Sequence, residues 1–344
     1  MEEAKLTENV TEMNEEAVTE DARTKRKRLK KDVGYMAWGM IGYQIIFQLI
    51  SAIILIVVLS AISNEMFMSG EATATEANAY YMAMLEDEAV MAGASFIFGA
   101  VGIGFLFFYF RKRIDKKQMF ASYKKMGLKD FLSILCILMG VQLLSDPIFI
   151  GMEWLFNLFG YTMESSLISA SAGSETVIMV LFAVIGAPVY EELIYRGFAM
   201  SVGKKYGKVF AIVISAVLFG VMHMNVPQAV FAFMMGILLG YVAMEYSVGW
   251  TIGFHLINNG FGEGFVFLTK NLSENIQTIL YYSIVGIFAL GGVICLLKNR
   301  KAIAEYIAQN KPEKKSYLYA FTTVGMIIFI VGCIALGFMF IETL

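Results

Sequence analysis

The chain is poor in several residue types that usually carry structure or chemistry. Its 344 residues include 2 histidines, 3 cysteines and 4 prolines, and 16% are charged. The cysteines, Cys136, Cys295 and Cys333, lie in separate apolar runs, so neither a disulfide framework nor a CxxC metal site is predicted. The formal net charge is −2, and no nucleic-acid partner is predicted.

Apolar residues dominate the chain instead. They make up 58% of it, with a mean hydropathy of +0.65, whereas a soluble domain has about 45–50%. Because about 20 apolar residues span the ~30 Å core of a bilayer as a helix, we expect an all-α, polytopic transmembrane bundle of eight or nine helices. The predicted helices are 34–63, 89–110, 131–150, 176–200, 209–225, 228–244, 249–268, 277–297 and 317–341.

The charges alternate between the two ends of these helices. Lys and Arg cluster at 25–31, 111–117, 203–208 and 298–301, whereas the acidic stretch 64–89 has neither. Because Lys and Arg accumulate in cytoplasmic loops, we predict a multi-pass protein of the cell membrane with a cytoplasmic N-terminus. Its methionine-rich, cysteine-poor composition favours a bacterial source.

This pattern divides the chain into four parts. Residues 1–33, acidic and then basic, are predicted to form a cytoplasmic disordered tail. Residues 34–124 hold the first membrane helices and the acidic outer loop, and residues 271–344 hold the last ones. Residues 125–270, which lie between these two parts, contain both histidines of the chain and an acidic pair within apolar runs.

Ionisable residues inside membrane helices are functional-site candidates by default, because each costs about 2.5–3.5 kcal/mol on insertion scales. Glu191, Glu192 and Arg196 lie at the end of one apolar run, and the two histidines, His223 and His255, lie in two later runs. At 1.5 Å per residue, Glu191, His223 and Asn259 each lie about 20–22 Å from the nearest cytoplasmic charged residue, and His255 lies about one turn nearer to it. We therefore expect them at one level.

Helical spacing indicates which of these groups pair. Glu192 and Arg196 are i, i+4 neighbours that can neutralise each other, a pairing that is also compatible with a purely structural role. Glu191 points about 100° away and is left as a candidate general base. His255 and Asn259 are again i, i+4 and can aim at one point.

The motifs EExxxR (Glu191, Glu192, Arg196), FxxxH (Phe219, His223) and HxxxN (His255, Asn259) follow one another on successive helices. In this order they resemble the CPBP family, the CAAX prenyl protease and bacteriocin-processing intramembrane proteases, also called the Abi family. The resemblance covers roughly residues 125–270. It implies an intramembrane endopeptidase that acts on a membrane-anchored protein or peptide in the lipid bilayer.

The resemblance also implies roles for the motif residues. Glu191 and His223 would activate the attacking water, and His255 and Asn259 would stabilise the oxyanion of the tetrahedral intermediate. Glu192, Arg196 and Phe219 would support the site. The resemblance identifies neither the substrate nor the oligomeric state.

Metal dependence stays open from the sequence. Members of the family are commonly labelled metalloproteases, and Glu191, His223 and His255 could hold a divalent metal such as zinc with one open position. The chain has no HExxH motif, however, and water activation by a glutamate needs no metal.

Two other functions stay open as well. A non-catalytic membrane scaffold or bacteriocin-immunity protein would keep the fold and bind a peptide. A proton-coupled transporter would use Glu and His as a relay, but beyond the motif level the sequence offers it little except Glu263.

Overall fold

The structure is a computed structural model that describes residues 2–166, 174–339 and 341–344, with side chains described from residue 22 onwards. The predicted all-α bundle is confirmed. The described strands are limited to Tyr161–Thr162 and Glu342–Thr343, which pair antiparallel near the chain's C-terminal end. Residues 167–173 of the predicted core 125–270 lie outside the described part.

Helices account for most of the described chain. In chain order they are α1 (Glu2–Gln44, continued through Ile45–Ile50 and Ser51–Met68), α2 (Ala74–Glu86), α3 (Glu88–Phe110), α4 (Leu128–Asn157), α5 (Val177–Tyr206), α6 (Lys208–Val221), α7 (Val226–Glu245), α8 (Val248–Thr269), α9 (Glu274–Asn310), α10 (Ser316–Phe321) and α11 (Val324–Phe338). A short helical turn, Lys116–Met119, precedes α4.

Within the described residues, six helices are long and apolar enough to cross a membrane, namely α1, α3, α4, α5, α7 and α9. Each predicted helix has a counterpart, but the predicted helix 317–341 is divided into α10 and α11. The predicted outer loop 64–89 contains α2, whose N-terminus is closed by a capping box between Thr73 and Glu76. The hydrogen bonds of that box hold the pKa of the Glu76 carboxyl below its usual value.

The predicted disordered tail differs from the structure, because α1 begins at Glu2 and includes residues assigned to the tail. Leu29 and Val33 are buried in the main core. Asp32, also buried, accepts hydrogen bonds from Arg113 at 2.8 Å and from the Tyr206 hydroxyl at 2.6 Å. Tertiary packing therefore holds residues 29–33 at the end of the predicted tail, although the polar composition of the tail favours disorder.

Helices α6 and α7 form a closely packed hairpin because glycines lie where the two helices contact each other. A Cβ at Gly220 would meet the Ala229 carbonyl oxygen at 2.7 Å, and one at Gly236 would meet Ala216 Cα at 2.9 Å. Small residues let helices approach in this way inside membranes. The fourteen-residue helix α6 rises about 21 Å at 1.5 Å per residue, which is shorter than the ~30 Å hydrocarbon core of a bilayer.

Helix α11 covers the turn between α6 and α7. The predicted helix 209–225 ends at Val221 in the structure, and Met224 adopts a left-handed conformation with φ 51°. A Cβ at Gly337 of α11 would lie 3.2 Å from the Met224 backbone. Non-helical backbone is tolerated at membrane depth where protein or an aqueous cavity surrounds it, and α11 supplies part of that cover.

Candidate active site

The two adjacent glutamates lie on a short α-helical stretch of α5. This stretch, Ala187–Glu192, is flanked by the π-helical segments Phe182–Gly186 and Leu193–Ala199. A π turn contains more residues than an α turn and therefore shifts the direction of the side chains that follow it. Such turns are rare and occur frequently at functional sites.

Glu192 joins two other polar side chains. Arg196 Nη1 donates to Glu192 Oε1 at 2.9 Å, and His255 Nδ1 lies 2.9 Å from the same oxygen. Because a carboxylate oxygen accepts hydrogen bonds, the Nδ1–H of His255 is the donor. The side chains of Glu192 and Arg196 are both fully buried. The predicted intrahelical pair is therefore present, and it also fixes the orientation of an imidazole on α8.

Glu191 faces the other nitrogen of the same imidazole. Its Oε2 atom lies 3.7 Å from His255 Nε2, and 18% of its side chain is accessible. This distance exceeds that of a hydrogen bond, so both atoms remain able to bind a third group. The two neighbouring carboxylates thus have different environments, with Glu192 enclosed and Glu191 open.

Phe219 connects the arginine with both histidines. Its ring packs edge-to-face against His223 and His255, with centroid distances of 5.0 Å and 5.8 Å. The Arg196 guanidinium lies 4.3 Å from the centre of the same ring. His223 donates from Nδ1 to the Phe219 carbonyl oxygen at 2.8 Å, which leaves its Nε2 available. The FxxxH spacing therefore provides both a ring contact and a backbone acceptor.

Asn259 lies one turn beyond His255, but its amide is already partly engaged. Its Nδ2 atom donates to the Ala183 carbonyl oxygen of α5 at 2.9 Å, and its Oδ1 atom accepts from Asn258 Nδ2 at 3.1 Å. Asn258 in turn accepts from Gln142 of α4. Helical spacing alone directs Asn258 away from His255 and Asn259, and it gives no reason to single out Gln142, although an amide in an apolar run is a signal for both residues.

Glu263 lies apart from this group. Its carboxylate accepts from the backbone N–H and the hydroxyl of Ser174, at 3.1 Å and 2.9 Å. The structure therefore connects Glu263 with the start of α5 and not with the two histidines. Glu263 is the one further ionisable group that the sequence offers for a proton relay, and in the structure it is paired with Ser174.

Glu191, His223 and His255 are the three residues that the sequence offers as metal ligands. Both imidazoles donate from Nδ1 and keep Nε2 free, which is the arrangement usual for histidine ligands. Within the described residues, however, no group of three or more His, Cys, Asp or Glu side chains is arranged to hold a metal ion. The donor types suit zinc, but among the described residues these side chains are not arranged as a metal site.

Residues 173–261 match the family model described as type II CAAX prenyl endopeptidase Rce1-like. The matched range contains all three motifs, so the resemblance indicated by the sequence is confirmed over these residues. The match supports a CAAX-type intramembrane endopeptidase in general terms. No curated protein and no solved structure matches the chain.

Proposed function

We propose that the protein is an intramembrane endopeptidase that hydrolyses a peptide bond of a membrane-anchored protein or peptide with a water activated by Glu191. One observation supports this most strongly. The imidazole of His255 lies between two carboxylates, with Glu192 on Nδ1 at 2.9 Å and Glu191 near Nε2 at 3.7 Å. One carboxylate thus orients the imidazole, and the other is open to water.

The proposed reaction begins with proton transfer from water to Glu191, assisted by His223, while the water oxygen adds to the carbonyl carbon of the substrate. The carbonyl oxygen becomes an oxyanion. When His255 carries both ring protons, its Nδ1–H is bound to Glu192 and its Nε2–H can donate to this oxyanion. A second donor is an N–H of Asn259. Oxyanion donors each contribute about 2.7–4 kcal/mol to lowering the barrier.

The intermediate then collapses by breaking its bond between carbon and nitrogen. The proton held at Glu191 passes to the departing nitrogen, which leaves as an amine, and the other product is a carboxylic acid. Glu192 and Arg196 remain paired throughout. Their role is to keep His255 in the orientation that places Nε2 opposite Glu191.

The first experiment is N-terminal peptide profiling of membranes from cells that express wild type or Glu191→Gln at equal levels. New N-termini that appear only with wild type, near membrane segments, are the expected result and identify the substrates. Glu65→Gln, the same substitution at an exposed position of α1, is the matched control and should behave as wild type. Identical profiles from wild type and folded, inserted Glu191→Gln would favour the scaffold function instead.

A further inference from the structure

A continuous line of hydrogen bonds connects helices α9, α4, α8 and α5 and ends at the candidate site. Tyr281 of α9 donates to Gln142 Oε1 at 3.1 Å, and Gln142 Nε2 donates to Asn258 Oδ1 at 3.0 Å. Asn258 Nδ2 donates to Asn259 Oδ1 at 3.1 Å, and Asn259 Nδ2 donates to the Ala183 carbonyl oxygen at 2.9 Å. We call these four side chains the amide relay.

The relay has a single direction. An asparagine amide has nearly the same shape on its two edges, so only its hydrogen-bond partners decide which edge donates. A backbone carbonyl such as that of Ala183 can only accept, which places Nδ2 of Asn259 beside it. Asn258 then has to present its Nδ2 to Asn259 Oδ1, and Gln142 has to present Nε2 to Asn258. The phenolic hydroxyl of Tyr281 provides the first donor.

The carbonyl at the end of the relay is available for a sequence-specific reason. In the π-helical segment of α5, the Ala187 N–H bonds to the Phe182 carbonyl five residues earlier. The corresponding donor for Ala183 would belong to Pro188, and proline has no N–H. The Ala183 carbonyl is therefore left without its helical donor inside a membrane segment, where an unmet acceptor is unfavourable. Asn259 satisfies it.

The packing of α4 on α9 brings together Gln142 and Tyr281, the two relay residues that are farthest from Ala183 along the line of hydrogen bonds. A Cβ at Gly140 would meet Ala289 Cα at 2.8 Å, and one at Gly292 would meet the Cys136 carbonyl oxygen at 3.0 Å. This close contact places Gln142, at the start of a 3-10 turn in α4, within reach of Tyr281. Both Gln142 and Tyr281 lie outside the matched residues 173–261.

We propose that Gln142, Asn258 and Tyr281 are positioning residues that fix the Asn259 amide for oxyanion binding. Asn259 Nδ2 has two hydrogens. One is directed to the Ala183 carbonyl, and the other is the donor that the proposed reaction needs. Without the relay, the Ala183 carbonyl would hold the Asn259 amide by one bond only, and the amide could turn about that bond and move its second hydrogen away from the oxyanion. This inference rests on the proposed endopeptidase function.

The test compares neighbouring tyrosines on α9. Tyr281→Phe removes the first donor of the relay, whereas Tyr282→Phe removes a hydroxyl that bonds to Asp146 of α4 outside the relay. Gln142→Met keeps the side-chain length and removes both relay bonds. Each purified variant is assayed on a quenched fluorescent peptide that spans a cleavage site found by N-terminal profiling, and its thermal unfolding is measured alongside.

The expected result is a lower kcat with little change in KM. Loss of an oxyanion donor lowers kcat by about 100- to 1,000-fold, so a misplaced donor in Gln142→Met should lower it by about 10- to 100-fold. Tyr281→Phe, further from Asn259, should show a decrease of a few-fold, and Tyr282→Phe should match wild type. Because Tyr281→Phe is the mildest change, it keeps the test informative if Gln142→Met does not fold.

A double-mutant comparison separates positioning from general structural damage. If the relay acts through Asn259, adding Gln142→Met to Asn259→Ala should not slow the reaction further. Multiplicative losses, or equal activities of Tyr281→Phe and Tyr282→Phe, would overturn the relay while Glu191-dependent cleavage still supports the endopeptidase. A wild-type protein without Glu191-dependent cleavage would overturn both, because the relay would then have no oxyanion to serve.

Discussion

At the residue scale, the site depends on the different environments of two adjacent glutamates. Successive helical residues point about 100° apart, so Glu192 faces Arg196 and His255 while Glu191 faces the open side of the imidazole. Helical spacing in the sequence predicted the partner Arg196. It did not predict His255 as a partner of Glu192, because those residues are 63 positions apart in the chain and only the packing of α8 on α5 brings them together.

Replacing Glu192 should destabilise the protein strongly. Glu192→Gln leaves Arg196 buried without its counter-charge, and breaking a buried pair in this way costs about 3–5 kcal/mol. We expect a clear loss of thermal stability in detergent, together with loss of cleavage. The double variant Glu192→Leu/Arg196→Met removes both charges and should recover much of the stability but none of the activity. Equal unfolding midpoints for wild type and Glu192→Gln would contradict the buried pair.

Metal removal is expected to leave activity unchanged. In the structure, Glu191, His223 and His255 offer suitable donor atoms, but they are not arranged as a metal site. Purified protein would be treated with a chelator, passed through a desalting column and assayed, with metal content measured in the same sample. Loss of activity that returns on addition of zinc would show that these side chains rearrange around a metal.

At the element scale, irregular helix geometry positions the site. The π-helical segment Phe182–Gly186 and the non-helical turn at Met224 both lie beside motif residues. The sequence indicated helices at these places but not their irregular parts. Pro188 is evident in the sequence. Its effect on the Ala183 carbonyl, however, depends on the π-helical hydrogen-bond pattern of this segment, which the apolar periodicity does not show. The position of Asn259 therefore required the structure.

Close packing of α6 on α7 should be sensitive to a single methyl group. In Gly220→Ala, the new Cβ would meet the Ala229 carbonyl oxygen at 2.7 Å, and such overpacking costs about 1–3 kcal/mol. Because Gly220 lies one turn before His223, we expect lower thermal stability and lower kcat. Gly264→Ala is the matched control, since nothing lies within 4 Å of its added Cβ. Equal stability and activity of the two variants would contradict the hairpin packing.

At the scale of the whole molecule, helices outside the matched region are connected to the candidate site. Helix α11 packs on the turn after His223 through Gly337, and α9 carries the first residue of the amide relay. The sequence predicted both helices from their apolar length but gave no reason to connect them with the motifs. Their contacts are long-range in the chain, and no local pattern encodes them.

The distribution of charge predicts how the molecule lies in the membrane. Cysteines introduced as Glu71→Cys in the acidic outer segment and as Lys112→Cys in a basic one should react differently with a membrane-impermeant maleimide. On intact cells we expect labelling of Glu71→Cys alone, and labelling of both after permeabilisation. Wild type is the control, because its cysteines are all located in helices. Labelling of Lys112→Cys on intact cells would reverse the predicted orientation.

The role of Glu191 as the general base is tested by the kcat of purified Glu191→Gln on a peptide that wild type cleaves. A positioned general base contributes about 100- to 10,000-fold, and Glu191 would be the base that activates water. We therefore expect kcat to fall by at least about 100-fold while the unfolding midpoint stays near that of wild type. A folded Glu191→Gln protein with kcat within a few-fold of wild type would contradict the claim.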